Sequence, residues 1–253
     1  MSIGDPTARV ESDVPASVVH RALHAEVERA RRRRGDQPVR VLDVGGGSGA
    51  WAVPMAAAGC AVTVVDTSPN ALAALQGRAR EAGVGSRVVA LQGDVLTLAD
   101  VVPEADADLV LGHGLLEVVD DVDSTLANLA AATRPAGAVS VLVSGLYGAV
   151  IAQVHAGRVS QANAVLADPR GRTGQQDPLQ RRLSLAAARE VLQATEGLSV
   201  ELVQGDGVFE GWLPAAAWAS DPDDLAELEA AMARTPELLV LAARLHLMAR
   251  KSG

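Results

Sequence analysis

Val41-Leu42-Asp43-Val44-Gly45-Gly46-Gly47-Ser48-Gly49 is the most informative stretch of the chain. An apolar, β-branched run, VRVLDV (39–44), passes into four glycines within five residues, and the small-residue helical stretch GAWAVPMAAAG (49–59) follows. Glycines there let the backbone turn tightly and approach a ligand, while N–H groups at the start of the helix point toward it. A nucleotide-like cofactor at the carboxyl end of the strand is the expectation. Dinucleotide enzymes share such a turn, and Gly47, Gly49 and Ala52 also fit a G-x-G-x-x-A frame.

The surrounding sequence repeats this alternation. AVTVVD (61–66) predicts a second strand, and Ser68 with Pro69 opens a helix through Leu72, Leu75 and Ala79. RVVALQ (87–92), ADLVLG (107–112) and GAVSVLVSG (137–145) predict three more strands, with a helical face at Val122, Leu126, Leu129 and Ala130 before the last. Strands apolar on both faces, separated by helices, predict a doubly wound α/β domain with a parallel sheet. Upstream, residues 1–12 are polar, and Val19, Leu23, Val27 and Ala30 mark a helix ending in Arg31–Arg34 and Gly35. Residues 1–36 are thus expected to be a tail and a helix packed on a domain spanning 37–253.

After Gly145 the rhythm breaks. An insert at 146–183 begins helically and continues through a polar stretch, DPRGRTGQQDP, without periodicity. Helix 184–196 and strand 198–203 follow. A second insert, 206–235, comprises an irregular segment to 221 and a helix near 222–234. PELLVLAARLHLMARK is expected to end in a strand from Arg244. Four of the five aromatic residues, Tyr147, Phe209, Trp212 and Trp218, lie in the inserts, where they would line a pocket or seal the inserts to the sheet.

Composition removes several classes. With 253 residues, 49% apolar and 21% charged, the chain can bury a full core. A single cysteine, Cys60, excludes a disulfide framework or multi-thiolate cluster. The net charge of −9 argues against a general nucleic-acid coat but leaves room for local basic patches. The only lysine is Lys251, so no Schiff-base lysine exists in the body of the domain. No run reaches the length of a membrane span, and the opening MSIGDPTARVESDVP lacks an apolar leader region, so a cytoplasmic protein is expected. His20 and His24 have metal-pair spacing without a third ligand, so no metal is expected.

Three acids separate the cofactor classes. Asp43 ends strand one, Asp66 ends strand two, where a carboxylate suits two ribose hydroxyls, and Asp94 follows strand three, where it suits an adenine amino group. Together they would repel a pyrophosphate and favour a sulfonium bearing an ammonium group. VLDVGGGSG, VTVVDTSP, LQGDV and DLVLGHGLLEVVDD resemble the class I S-adenosylmethionine-dependent methyltransferases over residues 39–145. The resemblance implies a Rossmann-like seven-stranded sheet of order 3-2-1-4-5-7-6 with strand seven antiparallel. It also implies S-adenosylmethionine as cofactor, held by Asp43, Gly45, Gly46, Gly47, Gly49, Asp66, Thr67, Asp94, Val95 and His113.

The segment GHGLLEVVDD and the C-terminal pattern are similar to the tRNA 5-carboxymethoxyuridine carboxyl methyltransferases. His113 and Glu117 match the His and Glu of their post-strand-four segment, and that histidine contacts the cofactor. Gly114 and Val118 replace its Ala and Trp. Arg21 is nearest to the family's cofactor-contacting arginine, and Gly145-Leu146-Tyr147-Gly148 stands where the family has Tyr-Asn-Ala-His-Gly.

Methyl transfer needs a base only when the acceptor must lose a proton. His113 is the catalytic candidate, with cofactor contact, base and plain loop residue all open; Glu117 is either a substrate contact or a helix cap. Tyr147, Phe209 and Trp212 are candidate substrate contacts; His155 is a weaker one, and His246 is expected to be structural. Without Asn/Asp-Pro-Pro-Tyr or Pro-Cys, nucleobase amino and cytosine C5 acceptors are not expected. The expected reaction is methyl transfer to an oxygen, carboxylate or hydroxyl, or to a nitrogen of a small molecule. The alternatives are methyl esterification of a tRNA wobble uridine, with Arg31–Arg34 and Arg170, Arg172, Arg181 and Arg182 on phosphates, and a non-catalytic cofactor-binding module.

Overall fold

Arg40–Val44 forms β1, hydrogen-bonded in parallel to β2 (Ala61–Asp66) on one side and to β4 (Ala107–His113) on the other. In the computed structural model, which describes residues 17–210, 213 and 221–253, β3 (Val88–Gln92) flanks β2, and β5 (Thr133–Ser144) flanks β4. The chain thus reverses its direction of travel across the sheet between β1 and β4, where ligands of open α/β sheets bind beyond the carboxyl ends of the strands. β7 (Arg244–Lys251) runs antiparallel between β5 and β6 (Leu198–Asp206), completing the order 3-2-1-4-5-7-6.

Helices cover both faces. On one, α1 (Val18–Arg34), α2 (Ala52–Ala57) and α3 (Pro69–Glu81) pack Leu23, Met55 and Leu75 against Val64, Leu109, Leu142 and Met248. On the other, α4 (Val122–Ala132) and α7 (Leu185–Ala194) pack Leu129 and Leu192 against Val110, Val141 and Leu247. Ser17 caps α1 by accepting from the His20 N–H, and Gly35 ends it in the left-handed region at φ 62°. Ionic contacts fasten α1 to the amino end of the sheet, joining Arg34 to Asp108 and Glu26 to Arg250.

The inserts are more ordered than their aperiodicity suggests. The first contains α5 (Leu146–His155) and a second helix, α6 (Val159–Ala167). The polar stretch beyond folds on its own side chains. Thr173 donates N–H and O–H to Asp177 Oδ2, at 2.7 and 2.9 Å, and Arg182 binds the same carboxylate at 2.6 Å. β6 continues to Asp206, beyond the expected end at 203, because its ladder with β7 extends past a bulge to the Asp206–Arg244 pair. α8 (Pro222–Met232) and the short α9 (Pro236–Leu239) lead into β7. β5 starts at Thr133, four residues early, with a register shift against β4 and Ala136 at φ 60°. Among the described residues no helix is long and apolar enough to cross a membrane.

Candidate active site

Beyond β1 the loop takes a path that side chains would obstruct. Gly45, Gly47 and Gly49 have φ of 72°, 54° and 84°. At Gly46 the limit is space, since a Cβ would come within 2.5 Å of the Asp43 carboxyl group and 2.9 Å of Val64. The loop backbone therefore lies directly against Asp43. That side chain is 1% exposed, and its Oδ2 has no hydrogen-bond partner. Burial, and then the nearby Asp66 charge, raise its pKa to about 7.

Asp66 fastens the loop to β2, accepting from Gly47 N through Oδ2 and from Ser68 N through Oδ1, both at 2.8 Å. Asp94 Oδ1 accepts from Leu96 N at 2.8 Å, capping a 3₁₀ turn at Val95–Asp100. A cavity of about 340 Å³ opens among Gly45, Asp66, Thr67, Asp94, Val95 and Leu115. Five of the residues named from sequence thus share one cavity, with Gly46, Gly47, Gly49 and Asp43 in or under its loop. The opposite wall, residues 114–120, is tied to the first insert. Arg181 donates to the carbonyls of Leu116, Val119 and Asp120, and Gln180 N donates to the Glu117 carbonyl at 2.8 Å.

His113 ends β4 beside this wall. Its Nε2 lies 2.8 Å from Ser140 Oγ, its Nδ1 is buried without a partner, and its ring meets Trp51 edge-on at 4.8 Å. Burial, reinforced by His246 and His20, holds its pKa well below the usual histidine value, so the ring is neutral at physiological pH. The His20 ring also meets Trp51, tilted by 36° with centroids 4.6 Å apart. His246 does more than fill the core, because it bonds both Ser140 and Gln204. Ser140 and His246 each interrupt an apolar strand, AVSVLV and ARLHLMA, and that interruption is their sequence signal.

Glu117 does not cap α4, where Asp121 accepts from Ser124 N at 2.9 Å. Its Oε1 accepts from the Ser144 N–H and O–H, each at 3.1 Å, and its Oε2 is buried without a partner. Burial raises its pKa against the opposing Ser144 bonds. Tyr147, on α5, is 41% exposed, whereas Phe209 is only 8% exposed; Trp212 and Trp218 lie outside the described residues. His155 is exposed on α5. Near Phe209, Arg244 binds Asp206 at 2.8 Å and Glu210 at 2.6 Å. Most of the arginines in the two basic runs are engaged internally. Arg31 pairs with Glu28, Arg33 with Glu26, Arg34 with Asp108, Arg172 with Asp168 and Arg182 with Asp177, while Arg181 holds the wall.

The strand order and the antiparallel seventh strand, with a glycine loop beyond β1 and acids at the ends of β1 and β2 and after β3, are those of a class I methyltransferase fold. Residues 41–137, somewhat over a third of the chain, match the methyltransferase domain family. A tRNA 5-carboxymethoxyuridine methyltransferase of Escherichia coli (strain K12) is 28% identical over 234 residues, 90% of this chain and 86% of the relative. The fold is similar to an S-adenosylmethionine-dependent methyltransferase from Mesorhizobium loti, at 19% identity and TM-score 0.57, covering 91% of this chain and 96% of that one. It is also similar to Burkholderia thailandensis 1,6-didemethyltoxoflavin-N1-methyltransferase, solved with 1,6-didemethyltoxoflavin and S-adenosylhomocysteine. There the identity is 21% and the TM-score 0.53, over 92% of this chain and 79% of the other.

Proposed function

We propose that the chain is a methyltransferase that moves the methyl group of S-adenosylmethionine to an oxygen of a small acceptor, a carboxylate before a hydroxyl. The observation that carries the reading is a set of three buried, unpartnered polar atoms along one edge of the sheet: Asp43 Oδ2, His113 Nδ1 and Glu117 Oε2. Burying such atoms unpaired costs about 1–3 kcal/mol each, and a cationic cofactor over the glycine loop beside Asp43, with a polar acceptor beside His113 and Glu117, would supply the missing partners. Asp43 would face the positive methionine end, and Asp66 would use its remaining lone pairs on the ribose hydroxyls. Asp94, with Oδ1 bonded to Leu96 N, would offer Oδ2 to the adenine amino group above Val95.

When bound, the cofactor supplies a sulfonium methyl for in-line displacement, and a carboxylate acceptor releases no proton. The chain's part is therefore to hold the acceptor in line, which is worth roughly 7–11 kcal/mol when the geometry is right. Inserts 146–183 and 206–235 form the acceptor side in this reading. Glu117 and Tyr147 would face the acceptor, the buried Phe209 would lend support, and Trp212 is a further candidate contact.

The second reading, methyl esterification of a tRNA wobble uridine, is supported by the relative that matches 90% of this chain. The internal pairing of the arginine runs favours the small acceptor, because charges already joined to Glu26, Asp108 and Asp177 are poor phosphate contacts. Incubation with methyl-labelled cofactor, a panel of small carboxylates and hydroxy compounds, and bulk tRNA tests the two. Base-labile label in the small-molecule fraction is expected. Label in tRNA, lost steeply as salt is raised, would replace the first reading by the second.

A further inference from the structure

A row of hydrogen bonds crosses four neighbouring strands on the α1 face of the sheet. Gln204 Nε2 on β6 lies 2.9 Å from His246 Nδ1 on β7. His246 Nε2 lies 2.8 Å from Ser140 Oγ on β5, which in turn lies 2.8 Å from His113 Nε2 on β4. Ser140 and His246 are fully buried and Gln204 nearly so, so these bonds are shielded from bulk water. We propose that Gln204, His246 and Ser140 fix the tautomer of His113, so that Nδ1 carries its proton and donates a hydrogen bond to an oxygen of the methyl acceptor. The acceptor part rests on the function proposed above.

The direction of the row follows from what each group can donate. An amide nitrogen only donates, so His246 Nδ1 accepts and the proton of that neutral ring sits on Nε2. Nε2–H then donates to Ser140 Oγ, whose single hydrogen is left for His113 Nε2. With Nε2 accepting, the neutral His113 ring bears its proton on Nδ1, the atom that is buried and unpartnered. Neither ring takes a second proton near neutrality, since burial lowers the pKa of His246 to about 4 and that of His113 well below normal. Trp51, edge-on to His113 at 4.8 Å, and His246, at 5.9 Å, limit rotation of the ring.

An N–H at this place selects the acceptor. It can hold one oxygen of a carboxylate while the other oxygen forms the bond to the methyl carbon. The carbon–sulfur pair returns to sulfur, the two charges cancel, and no proton moves. A ring with Nδ1 protonated cannot take a proton from a hydroxyl or ammonium acceptor through that atom, so the row favours carboxylates. His113 is the group that touches the acceptor; Gln204, His246 and Ser140 are positioning residues.

The test is nitrogen NMR of the ¹⁵N-histidine-labelled protein, free of cofactor and acceptor, with signals assigned through His113→Asn and His246→Asn. The expected spectrum shows His113 protonated at Nδ1 and His246 protonated at Nε2. Ser140→Ala, or Gln204→Met if that variant folds poorly, should leave His113 averaging between tautomers. The KM for a carboxylate acceptor should rise about two- to tenfold, as for one lost hydrogen bond, with the dissociation constant for S-adenosylhomocysteine unchanged. His113 protonated at Nε2 in the native protein, or an unaltered Nδ1–H in both variants, would overturn the proposal. Because the tautomer is read without ligands, failure of methyl transfer to small carboxylates would refute the proposed function and leave this result separate.

Discussion

Asp43 and Asp108 are buried aspartates on neighbouring strands, and the sheet treats them in opposite ways. Asp108, at the amino end of β4, is met by Arg34, by Arg134 at 3.1 Å and by Arg40 N at 2.9 Å. Glu26 on α1 is likewise closed by Arg250, at 2.6 and 2.8 Å. Asp43, near the carboxyl end of β1, has an oxygen with no partner. A buried charge with its partners in place holds a structure together, whereas one left open is costly until something binds. The amino end of the sheet is the fastening of the fold, and the carboxyl end stores unmet polar capacity for a ligand.

Breaking the fastening should have the largest effect. Asp108→Ala strands Arg34, which is only 8% exposed, and should cost about 3–5 kcal/mol in urea unfolding. Cofactor affinity of the folded fraction should be unchanged. A loss of binding with stability intact would erase the distinction between the two ends.

Asp43→Asn should act with the opposite sign on stability. The folded-state pKa of Asp43, about 7, lies above its ordinary 3.8. Its ionisation therefore penalises the folded state increasingly from pH 4 to 7, and the penalty stays constant above. The amide removes that penalty, so the free variant should be more stable at pH 8 by about 1–4 kcal/mol. It should also bind the cofactor more weakly. Destabilisation at pH 8, measured by thermal melting, would show that Asp43 is a fold residue like Asp108.

Gly46→Ala forces a methyl group against the Asp43 carboxyl group and Val64, and should cost about 1–3 kcal/mol, shared between stability and cofactor affinity. A variant indistinguishable from the parent in melting and calorimetry would mean that the loop is not held against Asp43. Arg181→Met should have the smallest effect. Loss of its bonds to the 116–120 carbonyls should weaken cofactor binding by about 0.5–1.5 kcal/mol and speed hydrogen exchange in that wall. Unchanged exchange would show that the first insert does not brace the cavity.

The parallel sheet was legible because its strands are apolar on both faces and the glycine loop fixes where β1 ends. The closing strand from Arg244 was legible for the same reason, as was the placing of Asp66, Thr67, Asp94 and Val95 just where β2 and β3 end. The His113–Ser140–His246–Gln204 row was not, because it depends on the β4–β5–β7–β6 pairing, which joins residues up to 106 positions apart in sequence. The polar 168–182 stretch looked unstructured because its order comes from Asp177 and Asp168 bonding nearby groups, which leaves no periodicity. Glu117 was open between substrate contact and cap because Ser144, its partner, is 27 residues away.

Titration calorimetry of the full chain with S-adenosylmethionine between pH 6 and 9, with NAD alongside, tests the central claim most directly. Asp43 must be ionised to face a cationic ligand, so affinity should climb by up to about tenfold per pH unit toward pH 7 and level off above. Proton release should accompany binding below pH 7, with no heat from NAD. Binding of NAD with none of the sulfonium, or sulfonium binding equally tight at pH 6 and pH 8, would contradict the account.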